Sequence, residues 1–91
     1  KNISTDSDIE GLIAFDYYNK GDKALAKRMF KEILSKNPDD VMSSINLTRI
    51  YIKEFDFMGA GKTLNNLVKA NPEAKKDPRV AVYGILMFLF K

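Results

Sequence analysis

The stretch DFMGAGKT, residues 56–63, carries the side chains that phosphate chemistry uses: a glycine-rich turn, then Lys62 for phosphate charge and Thr63 for a magnesium ion. A phosphate loop also needs a glycine five residues before Gly61, a strand leading in, and a helix opening near Lys62. Position 56 holds Asp56 instead. Other chemistry has less material. The 91 residues include no cysteine and no histidine, which removes thiolate nucleophiles, imidazole bases, disulfides and the usual zinc ligands together. The Asp39-Asp40 pair is accounted for by helix capping and by favourable charge at a helix N-terminus, ahead of any metal. Ser43 and Ser44 have no base to activate them, and Lys75, Lys76 and Arg79 form a short basic cluster expected in a solvated loop. No constellation supports nucleophilic, acid–base or metal catalysis, so the expectation is a non-enzyme with no cofactor, no metal and no catalytic residue.

What DFMGAGKT does depends on the elements around it. Ser7 with Glu10 forms a capping box, predicting a first helix from about Asp8 to Lys20, closed by Gly21. Asp22 caps a second helix through about Lys36. Its Leu25, Met29 and Ile33, with Ala26, Phe30 and Leu34, form an apolar stripe, and Asn37-Pro38 stops it. Asp39 or Asp40 caps a third helix reaching about Glu54, and Asp56 a fourth reaching about Ala70, ended by Asn71-Pro72. Asp77-Pro78 then opens a fifth that continues to the end of the chain.

These segments repeat. Sliding the sequence by 34 residues places Tyr17 on Tyr51, Asp22 on Asp56, Ala26 on Ala60 and Asn37-Pro38 on Asn71-Pro72. Between them Ile13 meets Leu47, Phe30 meets Leu64, Ile33 meets Leu67 and Leu34 meets Val68. The units resemble the tetratricopeptide repeat, a 34-residue helix–turn–helix. Its late aromatic in the first helix matches Tyr17 and Tyr51, and its small residue early in the second matches Ala26 and Ala60. The large apolar residue that follows matches Phe30 and Leu64, and the closing proline matches Pro38 and Pro72. Glu10 and Ser44 stand where the family favours tryptophan, Ala14 and Thr48 at the small position of the first helix, and Phe55 where the turn glycine is usual. The version is degenerate.

The resemblance implies an all-α fold of antiparallel helix–turn–helix repeats, an α-solenoid of about five helices in one domain. Repeat one covers about residues 7–40, repeat two about 41–74, and a partial third unit about 77–91. In that frame Ala60 lies inside a helix already capped by Asp56, so DFMGAGKT reads as a helix start. Gly59 and Gly61 are then small residues that lower helix propensity and suit a close neighbouring helix.

The family's concave face, mapped residue by residue, takes Asp8, Gly11, Phe15, Tyr18 and Asn19 from the first unit and Met42, Ile45, Arg49, Ile52 and Lys53 from the second. The last helix adds Lys76, Arg79, Tyr83, Leu86 and Met87 in unbroken register. With a two-residue shift at Pro78 it adds Pro78, Ala81, Ile85, Phe88 and Leu89 instead. Relatives that bind chaperone C-termini use a lysine–asparagine carboxylate clamp. Here Gly11 and Phe15 replace the first unit's pair, and only Asn46 and Lys76 match, so no clamp is complete. A groove with Phe15, Tyr18, Met42, Ile45 and Ile52 suits an apolar helix. The competing reading is that Phe15, Tyr18 and Ile52 are partly core.

The segment AVYGILMFLF, residues 81–90, is apolar nearly all round, so packing on one neighbour cannot cover it. As a helix the apolar run Val80 to Phe90 reaches roughly 16 Å, short of a bilayer's hydrocarbon core of about 30 Å. Further repeats, a second copy of the chain, or a bilayer surface are the candidate covers. The net charge of +3 is spread over scattered lysines among acids, which reads as a solvated helical surface, and no nucleic-acid partner is expected. The chain begins at Lys1 without a methionine, so a processed or excised fragment is expected, and no signal peptide is visible.

The expected function is a protein-interaction module that self-associates as a homodimer through the apolar terminal helix and the concave groove. The candidate contacts are Phe15, Tyr18, Met42, Ile45, Arg49, Ile52, Tyr83, Leu86, Met87, Phe88 and Phe90. The setting would be the soluble part of a larger protein, cytoplasmic or membrane-anchored through other regions. The alternative is a peptide-binding adaptor or co-chaperone module that takes an apolar helical segment of a partner.

Overall fold

Aspartates decide where helices begin in this chain. The computed structural model describes residues 2–89, with side chains described for residues 9–89. It contains α1 (Asn2–Asn19), α2 (Lys23–Lys36), α3 (Val41–Lys53), α4 (Phe57–Ala70) and α5 (Pro78–Leu89), with a short 3₁₀ helix (Pro72–Lys76) before α5. The fold is all-α with five helices, and no strand occurs among the described residues. The backbone N–H of Leu25 donates to Asp22 Oδ1 at 3.2 Å, that of Ser43 to Asp40 Oδ1 at 3.3 Å, and that of Gly59 to Asp56 Oδ1 at 2.9 Å. Each bond satisfies one of the amides that the first helical turn leaves without a partner, a cap worth about 1 kcal/mol. Of the two candidate caps before α3, Asp40 is the one used.

The 34-residue offset read in the sequence recurs in the backbone. Lys23 and Phe57 open α2 and α4, and Lys36 and Ala70 close them. The N–H of Asn37 donates to Ile33 O and that of Asn71 to Leu67 O, so both units end alike. Gly21 has φ +98° and Phe55, its counterpart, has φ +60°. The turn between paired helices therefore needs a left-handed residue, which glycine supplies without strain and phenylalanine does not.

Two apolar clusters hold the helices. Ala14, Ala26, Phe30, Ile33, Leu47 and Ile50 join α1, α2 and α3. Ile45, Leu64, Leu67, Ala74 and Val80 join α3, α4, the 3₁₀ helix and α5. Side chains of this size stabilise by about 1.5–3 kcal/mol each when fully buried, so α3, which serves both clusters, is the axis of the fold. Thr48 sits at its centre, fully buried, and its hydroxyl has no hydrogen-bond partner among the described residues. Ala14 occupies the equivalent position in the first unit and is equally buried.

A polar contact ties the units together as well. Lys27 Nζ lies 2.8 Å from Glu54 Oε1 and 4.6 Å from the centre of the Tyr51 ring, so one ammonium on α2 engages both the end of α3 and the residue after it. The Glu54 carboxylate holds the Lys27 ammonium above the ordinary lysine range.

Two expectations are corrected. The backbone is already helical from Asn2, so Ser7 lies inside α1 and is not its N-cap, while its side chain lies outside the described ones. Residues 2–10 contain neither proline nor glycine, so nothing stops the helix from extending towards the N-terminus. The segment carrying Lys75 and Lys76 is a 3₁₀ helix rather than a loop, because Ala74 is buried in the second cluster and pins it there. Both lysines remain exposed.

Gly59 earns its place by contact, whereas Gly61 does not. A Cβ on Gly59 would stand 2.8 Å from the Tyr51 ring and 3.0 Å from Asp56 Oδ2, while one on Gly61 would meet nothing within 4 Å. Gly59→Ala is expected to destabilise by about 1–3 kcal/mol through overpacking, and Gly61→Ala to stabilise by up to about 1 kcal/mol through helix propensity. Phe55→Gly is expected to stabilise by about 1 kcal/mol by removing left-handed strain. Urea denaturation of the three variants measures all of this, and equal losses for both alanine variants would contradict the contact argument.

Candidate protein-binding groove

The phosphate-loop letters belong to the structure of α4. Gly59, Ala60, Gly61 and Lys62 lie within the helix, and the Asp56 carboxylate accepts from the N–H of Gly59. The Thr63 hydroxyl donates to Gly59 O at 2.8 Å, so it is bonded within its own helix. DFMGAGKT is a helix start.

A concavity of apolar character lies between α1, α3 and α5. It has a volume of about 610 Å³. From α1 come Gly11, Leu12 and Phe15. From α3 come Met42, Ile45, Asn46 and Arg49, a stripe spaced three and four residues apart, with Ser43 and Asp40 at its N-terminal end. From α5 come Arg79 and Tyr83, one helical turn apart. Ile45 is both groove floor and core, because it also belongs to the second apolar cluster.

Charge is distributed unevenly along this groove. At the N-terminal end of α3, the Asp40 carboxylate is occupied by the N–H and the hydroxyl of Ser43. Arg79 is clamped by Asp77: Nη2 lies 2.8 Å and Nε 3.1 Å from its carboxylate oxygens, and the Arg79 N–H donates to Asp77 Oδ1 at 2.8 Å. Those bonds to the guanidinium hold the Asp77 carboxyl down at about 2, below its ordinary 3.8. At the other end, Phe15 stacks on Tyr18 with ring centres 6.4 Å apart. The ammonium groups of Lys53 and Lys23 sit 5.7 Å and 5.8 Å from the Tyr18 ring centre. Among the described residues, neither lysine nor Arg49 forms an ion pair.

The residues singled out in the sequence separate into several groups. Phe15, Met42, Ile45, Arg49 and Tyr83 line the groove. Tyr18 is half-buried beside it, in a shallow recess with Phe15, Phe30, Asn46 and Arg49. Ile52 is half-buried and outside the lining. Leu86 is half-buried away from the groove, and Met87 packs on the second cluster, bordering a separate depression against α4. Phe88 is exposed outside the groove, and Phe90 and the Asp8 side chain lie outside what is described. Of the two registers for the last helix, Arg79 and Tyr83 from the unbroken one face the groove. Pro78, Ala81, Ile85, Phe88 and Leu89 do not line it.

Leu12, like Asp40 and Ser43, lines the groove without being supplied by the repeat template. Leu12 lies three residues before Phe15 on the same flank of α1, a spacing visible in the sequence. The gathering of Lys23 and Lys53 on one tyrosine joins positions far apart in the chain, which no local pattern reveals. No helix among the described residues is long and apolar enough to cross a membrane. Comparison of the chain with family models, with curated proteins and with solved structures returns no match.

The Asp77–Arg79 clamp has a pH signature. A carboxyl depressed on folding contributes stability above its unfolded value, and that contribution is lost as the pH falls from about 4 towards 2. A carbon-detected NMR titration is expected to place the Asp77 midpoint near 2. In Arg79→Ala it should move up towards the ordinary carboxyl range, and a wild-type midpoint already in that range would rule the clamp out.

Proposed function

We propose that this chain is a non-catalytic protein-interaction module of the tetratricopeptide-repeat type, self-associating as a homodimer through the outer stripe of α5. The observation that carries the reading is exposure. Val82, Ile85, Phe88 and Leu89 are between 56% and 72% exposed, although α5 packs its Val80, Tyr83 and Met87 against the second cluster. Val82, Ile85 and Leu89 are spaced three and four residues apart, the seam along which two helices interlock.

A two-fold pairing of this stripe would cover eight large apolar side chains. At about 1.5–3 kcal/mol for each fully buried side chain, and with roughly a third of the surface already covered, the gross gain is on the order of 10 kcal/mol. Association costs about 4–15 kcal/mol in lost freedom. The pairing is therefore reversible and concentration-dependent. An adaptor that binds a partner's apolar helix is the second reading, favoured by the groove of about 610 Å³.

Ile85→Glu combined with Phe88→Glu tests the dimer. Neither side chain belongs to an apolar cluster, so helical circular dichroism should be unchanged while sedimentation equilibrium shifts from dimer to monomer. Leu86 is a poorer choice because it is half-buried and would mix folding with assembly. A wild-type chain that stays monomeric at high concentration, or a double variant that stays dimeric, would overturn the proposal.

A further inference from the structure

The groove and the α5 stripe are separate surfaces with different chemistry. Successive residues turn by about 100° round a helix, so Val82, Ile85 and Leu89 lie about a quarter turn from Arg79 and Tyr83. A dimer contact through the stripe does not use the groove side chains. The groove itself is apolar at its centre, with Leu12, Phe15 and Met42, and cationic beyond Arg49, where Lys53 and Lys23 share the Tyr18 ring. Arg49, Lys53 and Lys23 lack ion-pair partners among the described residues, whereas the charges at the opposite end, Asp40 and Arg79, are already bonded.

This inference rests on the adaptor reading of the groove. We propose that the groove takes an amphipathic helical segment of another protein, with apolar side chains along one face and carboxylates at the end that meets Arg49, Lys53 and Lys23. The dimensions suit such a ligand. From Met42 to Lys53 the floor of α3 runs about 16 Å, or three helical turns. Apolar anchors over Phe15 and Met42 would then be followed, within one or two turns, by acids facing the cations. Charge complementarity also identifies what does not fit. Residues 78–89 of a second copy offer no carboxylate, and their one charge is the cation Arg79. Seating α5 there would cover cations with apolar surface, which costs desolvation without a compensating partner.

Fluorescence anisotropy with three labelled model peptides of about four helical turns tests the proposal. The first carries leucines on one face and two glutamates at one end, the second replaces the glutamates with lysines, and the third keeps the glutamates but replaces the leucines with alanines. The first is expected to bind at least about tenfold more tightly than either of the others. Arg49→Glu combined with Lys53→Glu should reverse the preference in favour of the second peptide, a gain that a misfolded variant cannot produce. Equal binding of the first two, equal binding of the first and third, or no saturable binding of any would overturn the inference. Sedimentation of the same samples separates the two proposals. Peptide binding by a monomeric wild type defeats the α5 dimer alone, and a dimer that ignores all three peptides defeats the groove ligand alone.

Discussion

The structure depends on α3 being buried on two sides. One flank, through Leu47 and Ile50, closes the cluster with α1 and α2, and Ile45 on another closes the cluster with α4 and α5. Each of the two clusters draws side chains from three or more elements, and α3 contributes to both. The chain's stability is then a set of neighbour contacts rather than one central core. The small side chains along α3 follow from this. Ser43, Ser44 and Thr48 are all buried, because a helix with neighbours on both flanks leaves little room for larger ones.

The same arrangement explains why each end of the molecule looks different from its middle. An internal helix such as α3 has neighbours to its front and back. α5 is covered on one side by Ile45, Leu64, Leu67 and Ala74, and its other side stays exposed among the described residues. α1 shows a milder form, with Ile9, Leu12 and Ile13 exposed but with Asp16 and Lys20 paired at its far end, 3.0 Å apart. The groove arises between these two end helices, over α3, and gathers the side chains that each presents sideways.

Much of the fold was legible because its signals are local. Asp22, Asp40 and Asp56 bond to amides three residues away, and Asn37 and Asn71 close their helices four residues on, so sequence spacing suffices to find them. The start of α1 was misread, since Ser7 and Glu10 have the spacing of a capping box, yet the helix already runs from Asn2 and other polar residues before Asp8 could equally begin it. The groove was half legible. Phe15, Met42, Arg49 and Tyr83 follow from the resemblance to the repeat family, but whether Ile52, Leu86 and Met87 face the groove depends on how helices rotate against one another. That rotation is set by contacts such as Gly59 on Tyr51, between residues on different helices.

Thr48 leaves the two units unequal in a way that concerns the protein's capacity to change. Ala14 fills its site with nothing left to satisfy, while Thr48 keeps a buried hydroxyl with no partner among the described residues, at a cost of about 1–3 kcal/mol. An interior with such slack is not at its stability limit. Exchanging that hydroxyl for a methyl would leave shape and surface alone and create a reserve. Mutations that remodel the groove for a new ligand usually destabilise, and this one buried position is where the lineage, or a designer, can absorb them.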